Sequence, residues 1–399
     1  MPPSSSPSRR GFPYGAVLTV ALGHFVHDTF TAFFAPLLPL LRERLGLSLA
    51  LAGSLTLFRQ APSLLNPVIG FWADRARWLR WFVVLAPGLT ATGMTLLGWT
   101  SSYAGLAVLL LAVGFSVAMF HAPAPALVAR LAEPQTGRGM SIFMAAGELG
   151  RAVGPILAVS AVAWWGGLPG LPRLAVLGWL ASAVLFWRLA PVEPIDRGRR
   201  WNGTALRVWL RAWGPPLAVL ILGRAFVVGA LNTFLPTYLH AQGRTVQTAG
   251  WLFGAYEAAG VLGALTAGTL SDYLGRKRTV ALVQTLAVLF LWAFVFTPDP
   301  WRVAWLLPLG FTALAAQPVM LALVQDHAHQ ARATANGVYL ALSFVLRPLA
   351  VTLSGALGDT WGLEAAFSGG GLLTLLSLWA LRWLPGDTLP SGRAGEAVR

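Results

Sequence analysis

Asp28 follows His24 by four residues and His27 by one, in the middle of a long apolar run. A carboxylate beside imidazoles can take up a proton from one side of a barrier and release it on the other. His24 and Asp28 share one helical face, with His27 about 60–100° away around the axis. Further ionisable residues sit centrally in apolar runs: Arg59, His121, Glu148, Arg151, Arg224, Glu257 and Arg347. A charge at bilayer depth costs roughly 2.5–3.5 kcal/mol on insertion scales, so it faces a cavity or a partner. Most of these lie too far from the ends of their runs to snorkel. Asp28 is the first candidate for a proton carrier, with His24 and His27 beside it and Glu257 and Glu148 behind it. The buried arginines outnumber the buried carboxylates, so a cavity lined by Arg59, Arg151, Arg224, Arg347 and His121 is neutral to positive even with every acid ionised. A small anionic or zwitterionic substrate bearing carboxylate, phosphate or phosphonate complements it through bidentate contacts. Plainer readings exist for two members. Glu148 and Arg151, at i and i+3, can pair within their own helix, and Arg347 precedes Pro348, where a missing backbone donor and a kink make polar company useful.

The elements that must hold these groups are membrane helices. The chain is 56% hydrophobic and only 11% charged, more apolar than a soluble core can use. Apolar runs of bilayer-crossing length follow one another almost without pause. Turn and charge punctuation gives twelve spans, at about 12–41, 48–73, 81–100, 103–130, 139–166, 170–190, 214–240, 247–271, 279–298, 302–325, 333–358 and 364–385. The chain thus reads as an all-α membrane protein with a six-helix bundle over 1–190, a polar linker over 191–212 and a second six-helix bundle over 213–399. With no cysteine, disulfides and thiolate metal sites are excluded. No Ser/His/Asp order, phosphate-cradling loop or metal-spaced cluster appears, so no enzyme, cofactor or metal is expected. Asp326, His327 and His329, at the end of span 10, read as solvated.

The net charge of +14 is placed as a membrane protein places it. Arg75, Arg77 and Arg80 follow span 2, Arg138 follows span 4, Arg197 to Arg211 follow span 6, and Arg276, Lys277 and Arg278 follow span 8. The alternate loops are sparse in basic residues, apart from Arg42 and Arg44 after span 1. This asymmetry puts both termini in the cytoplasm of a multi-pass inner-membrane protein. It also removes nucleic acid as a partner. The lipid bilayer and a small-molecule substrate remain, and a monomer is expected.

The segment Gly70-Phe-Trp-Ala-Asp74-Arg75-Ala-Arg77 returns as Gly268-Thr-Leu-Ser-Asp272-Tyr-Leu-Gly275-Arg276-Lys277-Arg278. A half-chain repeat marks a transporter built from two similar halves. Twelve spans, a central basic loop and this doubled G-x-x-x-D motif resemble the major facilitator superfamily. Arg77 stands where the family pattern has Gly. Gly70, Asp74 and Arg75, with Gly268, Asp272, Gly275 and Arg276, would then be gating-loop residues, each Asp capping a helix or pairing with Arg to latch the halves. The alternative is topogenic charge alone. The chain is more closely similar to the fosmidomycin-resistance-like branch of drug exporters. That likeness rests on His24-Phe-Val-His27-Asp28, on Ser63 to Asp74, on Met119-Phe120-His121 and on Ser141-Ile-Phe143. Gly150, Gly154 and Pro155 are similar to part of the family's antiporter motif, although small residues also permit close packing and a bend.

The repeat serves as a ruler. Arg59 stands as far before Asp74 as Glu257 stands before Asp272. Equivalence in the two halves suggests that they face one another across a central cavity, and alignment on Pro39 and Pro236 sets His27 opposite Arg224. The reading that results is a proton-driven antiporter exporting a small amphipathic or anionic compound by alternating access. The alternative is a proton- or exchange-coupled importer of an organic anion.

Overall fold

The computed structural model describes residues 12–66, 68–69, 79–133, 135–189, 203–326 and 332–384, which are helical with short connections. Helices α1 to α6 are Tyr14–Leu45, Leu49–Gln60 with its extension Ala61–Leu65, Leu79–Trp99, Tyr103–Leu131, Thr136–Trp164 and Leu168–Arg188. In the second half α7 runs over Gly203–Arg224 and on through Ala225–Gly229 and Ala230–Ala241. Then come α8 at Val246–Leu274, α9 at Arg276–Phe296 and α10 at Trp301–Asp326. The helical stretch Arg332–Ser377 breaks at Gly362, whose φ of +84° only glycine adopts without strain, and so supplies α11 and α12. Nine helical stretches among the described residues are long and apolar enough to cross a membrane. The α11–α12 break and the more polar α2 and α8 bring the count to the twelve expected from sequence.

Local signals set the ends. Ser48, Ser102 and Thr245 each accept a backbone N–H three residues on, capping α2, α4 and α8. Gly46 ends α1 with φ +62°, and Gly275 joins α8 to α9 at φ +90°. Tryptophans Trp99, Trp164, Trp301 and Trp361 are exposed at one end of the bundle, and Trp187 and Trp383 at the other. Amphipathic rings at both levels are the mark of two membrane interfaces.

The packing of the halves differs between the two ends. At the end carrying the sparse loops, Phe33, Phe34 and Leu37 of α1 belong to the same core as Phe234, Leu235 and Phe253 of the second half. Toward the basic loops the cores are separate, one around Val83, Phe120 and Phe143, the other around Leu220, Val280 and Met320. Side chains reinforce the joined end. Asp359 of α11 accepts the Leu49 and Ala50 amides at 2.7 and 2.9 Å, capping α2 of the other half. Glu43 and His240 meet across the halves at 3.0 Å. The outlying Arg42 and Arg44 also have structural employment: Arg42 donates to the Leu47 carbonyl at 3.1 Å, and Arg44 to that of Gly98.

Candidate functional site

Three side chains converge in the first half. α1 places His24 and Asp28 one turn apart, and α4 brings in His121. His24 Nε2 lies 3.4 Å from Asp28 Oδ2, and His121 Nε2 lies 3.4 Å from Asp28 Oδ1. Each imidazole donates its other nitrogen to a backbone carbonyl, His24 Nδ1 to Phe143 at 2.8 Å and His121 Nδ1 to Val117 at 3.1 Å. The His24 ring also stacks on Phe143 with centroids 4.0 Å apart. His24 and Asp28 are buried, while His121 is 34% exposed and is the mouth of the cluster. His27 turns elsewhere: it is wholly buried and stacks on Phe120 at 4.6 Å.

The cluster depends on glycines of α5. Gly150 and Gly154 meet the backbone of α1 at Phe25 and Thr29, so close packing accounts for their positions in the Gly-x-x-x-Gly-Pro segment. Gly147 lies against the imidazole, and a β-carbon there would come within 2.5 Å of His24 Nε2. With α1 and α5 already in contact, the ring has little room to retreat. Gly147→Ala is therefore expected to lower stability by about 1–3 kcal/mol through overpacking. Gly137→Ala, on the same helix with no neighbour near its β-carbon, should be neutral or slightly stabilising. Thermal melts of the two purified variants would show the difference, and equal melting temperatures would contradict it.

At the boundary between halves Arg151 pairs with Glu148 of its own helix, and its Nε lies 3.9 Å from Glu257 Oε2 of α8. This corrects the expectation that Arg59 faces Glu257. Across the boundary α2 packs on α11, where Gly53 meets Val351 and Thr352, and α5 packs on α8, where Gly254 meets Ala152 and Ile156. Pseudo-equivalent helices α2 and α8 therefore sit on different sides of the interface, and each faces the counterpart of the other's partner. Arg59 forms no ion pair among the described residues, and its electrostatic neighbour is Asp28.

In the second half Arg224 and Arg347 line one cavity with Gln317, Tyr339, Ser343 and, from the first half, Gln60. Arg224 donates to Gln317 Oε1 at 3.4 Å. Among the described residues no carboxylate lines this cavity, and neither guanidinium forms an ion pair. The juxtaposition of His27 with Arg224 is not observed, since His27 is packed inside its own bundle. Gln60, Gln317 and Tyr339 escaped sequence reasoning, which weighed only charged groups. Their signal was polarity inside apolar runs.

Gly70, Asp74 and Arg75 lie outside the described residues, as do His327 and His329. In the second copy of the motif, Arg276 pairs with Asp272 at 2.6 Å and with Asp326 of α10 at 3.0 Å, and also bonds Ser271. These contacts stay within the second half. Gly268 faces open space on the side where the halves part.

A family model for the Major Facilitator Superfamily matches residues 20–248 and 240–398. The chain is 24% identical over 389 residues to the fosmidomycin resistance protein of Escherichia coli (strain K12), covering 94% of each. It is 32% identical over 120 residues to the multidrug efflux pump Tap of Mycolicibacterium fortuitum, about 30% of this chain and 29% of that one. Among solved structures it resembles a bacterial homologue of the human lysosomal transporter Spinster in an inward-facing, unoccupied conformation. The TM-score is 0.79 at 15% identity, covering 94% of this chain and 98% of that one. The nucleoside transporter NupG also shares the fold, with TM-score 0.75, 16% identity and coverage of 92% and 98%.

Proposed function

The chain belongs to the Major Facilitator Superfamily, a family of membrane transporters, and from that premise we propose that it is a proton-driven antiporter exporting a small anionic or amphipathic compound. The observation that carries the substrate class is the pair Arg224 and Arg347, two guanidiniums in one cavity with hydrogen-bonding Gln317 and Tyr339 and, among the described residues, no carboxylate. Such a site is complemented by a compound bringing its own negative charge. Gln60 contributes from the other half, so a ligand held here would touch both bundles, as alternating access requires. Export is supported by the likeness to the fosmidomycin resistance protein over nearly the whole chain and to an efflux pump over part of it.

The proton side of the reading rests on Asp28. Its carboxylate is held between two imidazoles within the first bundle, and His121, the more exposed of the two, offers it an exit. Arg151 and Glu257 sit on the boundary and can sense whether the halves are together at that level. The proposed cycle couples a proton on the Asp28 cluster to release of the anion from Arg224 and Arg347, with both termini in the cytoplasm of the inner membrane.

A thermal-shift screen of the purified full-length protein tests the substrate class. Carboxylates, phosphates and phosphonates are expected to raise the melting temperature, and organic cations to leave it unchanged. For any anion found, Arg224→Ala should weaken binding at least ~30-fold, as loss of one partner of a desolvated charge pair costs about 2–5 kcal/mol. Stabilisation by cations in place of anions would overturn the reading.

A further inference from the structure

We propose that His24, Asp28 and His121 form a binding site for a divalent transition-metal ion of the zinc class, open to the interior through His121. The Phe143 and Val117 carbonyls can only accept, so the imidazole nitrogens bonded to them, His24 Nδ1 and His121 Nδ1, carry hydrogen. That leaves both Nε2 atoms available, and both point at the carboxylate of Asp28, which when ionised also only accepts. Two lone pairs set 3.4 Å from carboxylate oxygens repel unless something positive lies between. Protons can supply that charge, and so can one metal ion.

The geometry suits the metal. Zinc binds imidazole nitrogen and carboxylate oxygen at about 2.0–2.1 Å in a tetrahedron, which sets neighbouring ligand atoms about 3.3–3.4 Å apart. Each imidazole Nε2 lies 3.4 Å from a different oxygen of Asp28, and one ligand atom from each of the three residues falls within 4.8 Å of the others, so a modest turn of the carboxylate would bring one oxygen to both nitrogens. The remaining adjustment falls to His121, the exposed member of the three. His24 Nε2 and Asp28 Oδ1 are buried with no hydrogen-bond partner among the described residues, so their lone pairs are free to bind a cation. A backbone carbonyl accepting the far N–H of a histidine is also the support that metal-ligating imidazoles receive, since it fixes tautomer and ring orientation. Three protein ligands with a fourth position toward an accessible side leave room for water or substrate.

Nearby charge sets the strength. The guanidiniums of Arg59 and Arg151 both act on Asp28, and Glu148 and Glu257 beside Arg151 offset part of that field. Binding weaker than that of a structural zinc site is expected. His27 is not a ligand, because its ring is committed to Phe120.

The inference is independent of the transport reading, because binding is measured with neither substrate nor gradient. Full-length protein carrying no polyhistidine tag, stripped with chelator, would be titrated with cobalt(II), whose tetrahedral complexes absorb in the visible, and then with zinc(II) to displace it. One saturable cobalt site per chain is expected, displaced by zinc. It should weaken at least ~10-fold in His24→Ala and in His121→Ala and persist in His27→Ala and in His327→Ala/His329→Ala. Absence of a saturable band in the wild-type protein would overturn the proposal whatever the variants do. So would a band unchanged in His121→Ala.

Discussion

Asp28→Asn is expected to reduce pH-driven flux in proteoliposomes to the level of protein-free vesicles, while substrate-induced thermal stabilisation survives. The substitution keeps the shape of the side chain and removes its capacity to bind and release a proton. Among the described residues Asp28 is the only carboxylate in the first-half histidine cluster, and it is only 5% exposed. The anion site proposed at Arg224 and Arg347 lies in the other bundle, so binding should be spared. Counterflow of unlabelled against labelled substrate, which needs no net proton movement, separates loss of coupling from loss of folding and should persist. Wild-type pH-driven flux in Asp28→Asn would remove Asp28 from the coupling path and shift attention to Glu257.

The features that led to Asp28 show what a membrane sequence discloses. Lipid excludes charge, so each ionisable residue inside an apolar run marks the interior of the bundle, and Asp28, Arg151, Arg224 and Glu257 are all found there. The twelve helices were equally legible, because length and hydropathy are set by the bilayer. Partnership was not. His121 reaches Asp28 from another helix, and no spacing in the chain encodes that approach. The internal repeat identified Arg59 and Glu257 as equivalents, yet equivalence under a two-fold axis fixes positions related by rotation and not positions in contact. With α2 on α11 and α5 on α8, the cation that reaches Glu257 is Arg151. His27 misled for a simpler reason: its neighbour in sequence is Asp28, but its neighbour in space is the Phe120 ring. The glycines of α5 had two readings, and the contacts of Gly150 and Gly154 with α1 favour packing as the cause of their positions.

Arg151→Gln should be the most disruptive single change at the boundary between the halves. It leaves Glu148 and Glu257 without their cation, and Glu257 has a side chain only 6% exposed. Removing one partner of a buried pair costs about 3–5 kcal/mol, because the other charge stays desolvated and uncompensated. Arg151 is itself 39% exposed, which places the expected loss at the low end, about 3 kcal/mol. The two carboxylates would also repel one another across the α5–α8 contact. The single variant is therefore expected to melt earlier and to lose transport. Adding Glu257→Gln removes the more deeply buried of the two uncompensated charges, so the double variant should recover much of the lost stability without recovering transport. A double-mutant cycle on stability should then give a coupling of at least about 1 kcal/mol between the two positions. Strict additivity would mean that the 3.9 Å approach carries no energy and that Arg151 serves Glu148 alone. Recovery of transport along with stability would point the other way, to a purely structural pair, and would leave Asp28 as the sole carboxylate on which coupling depends.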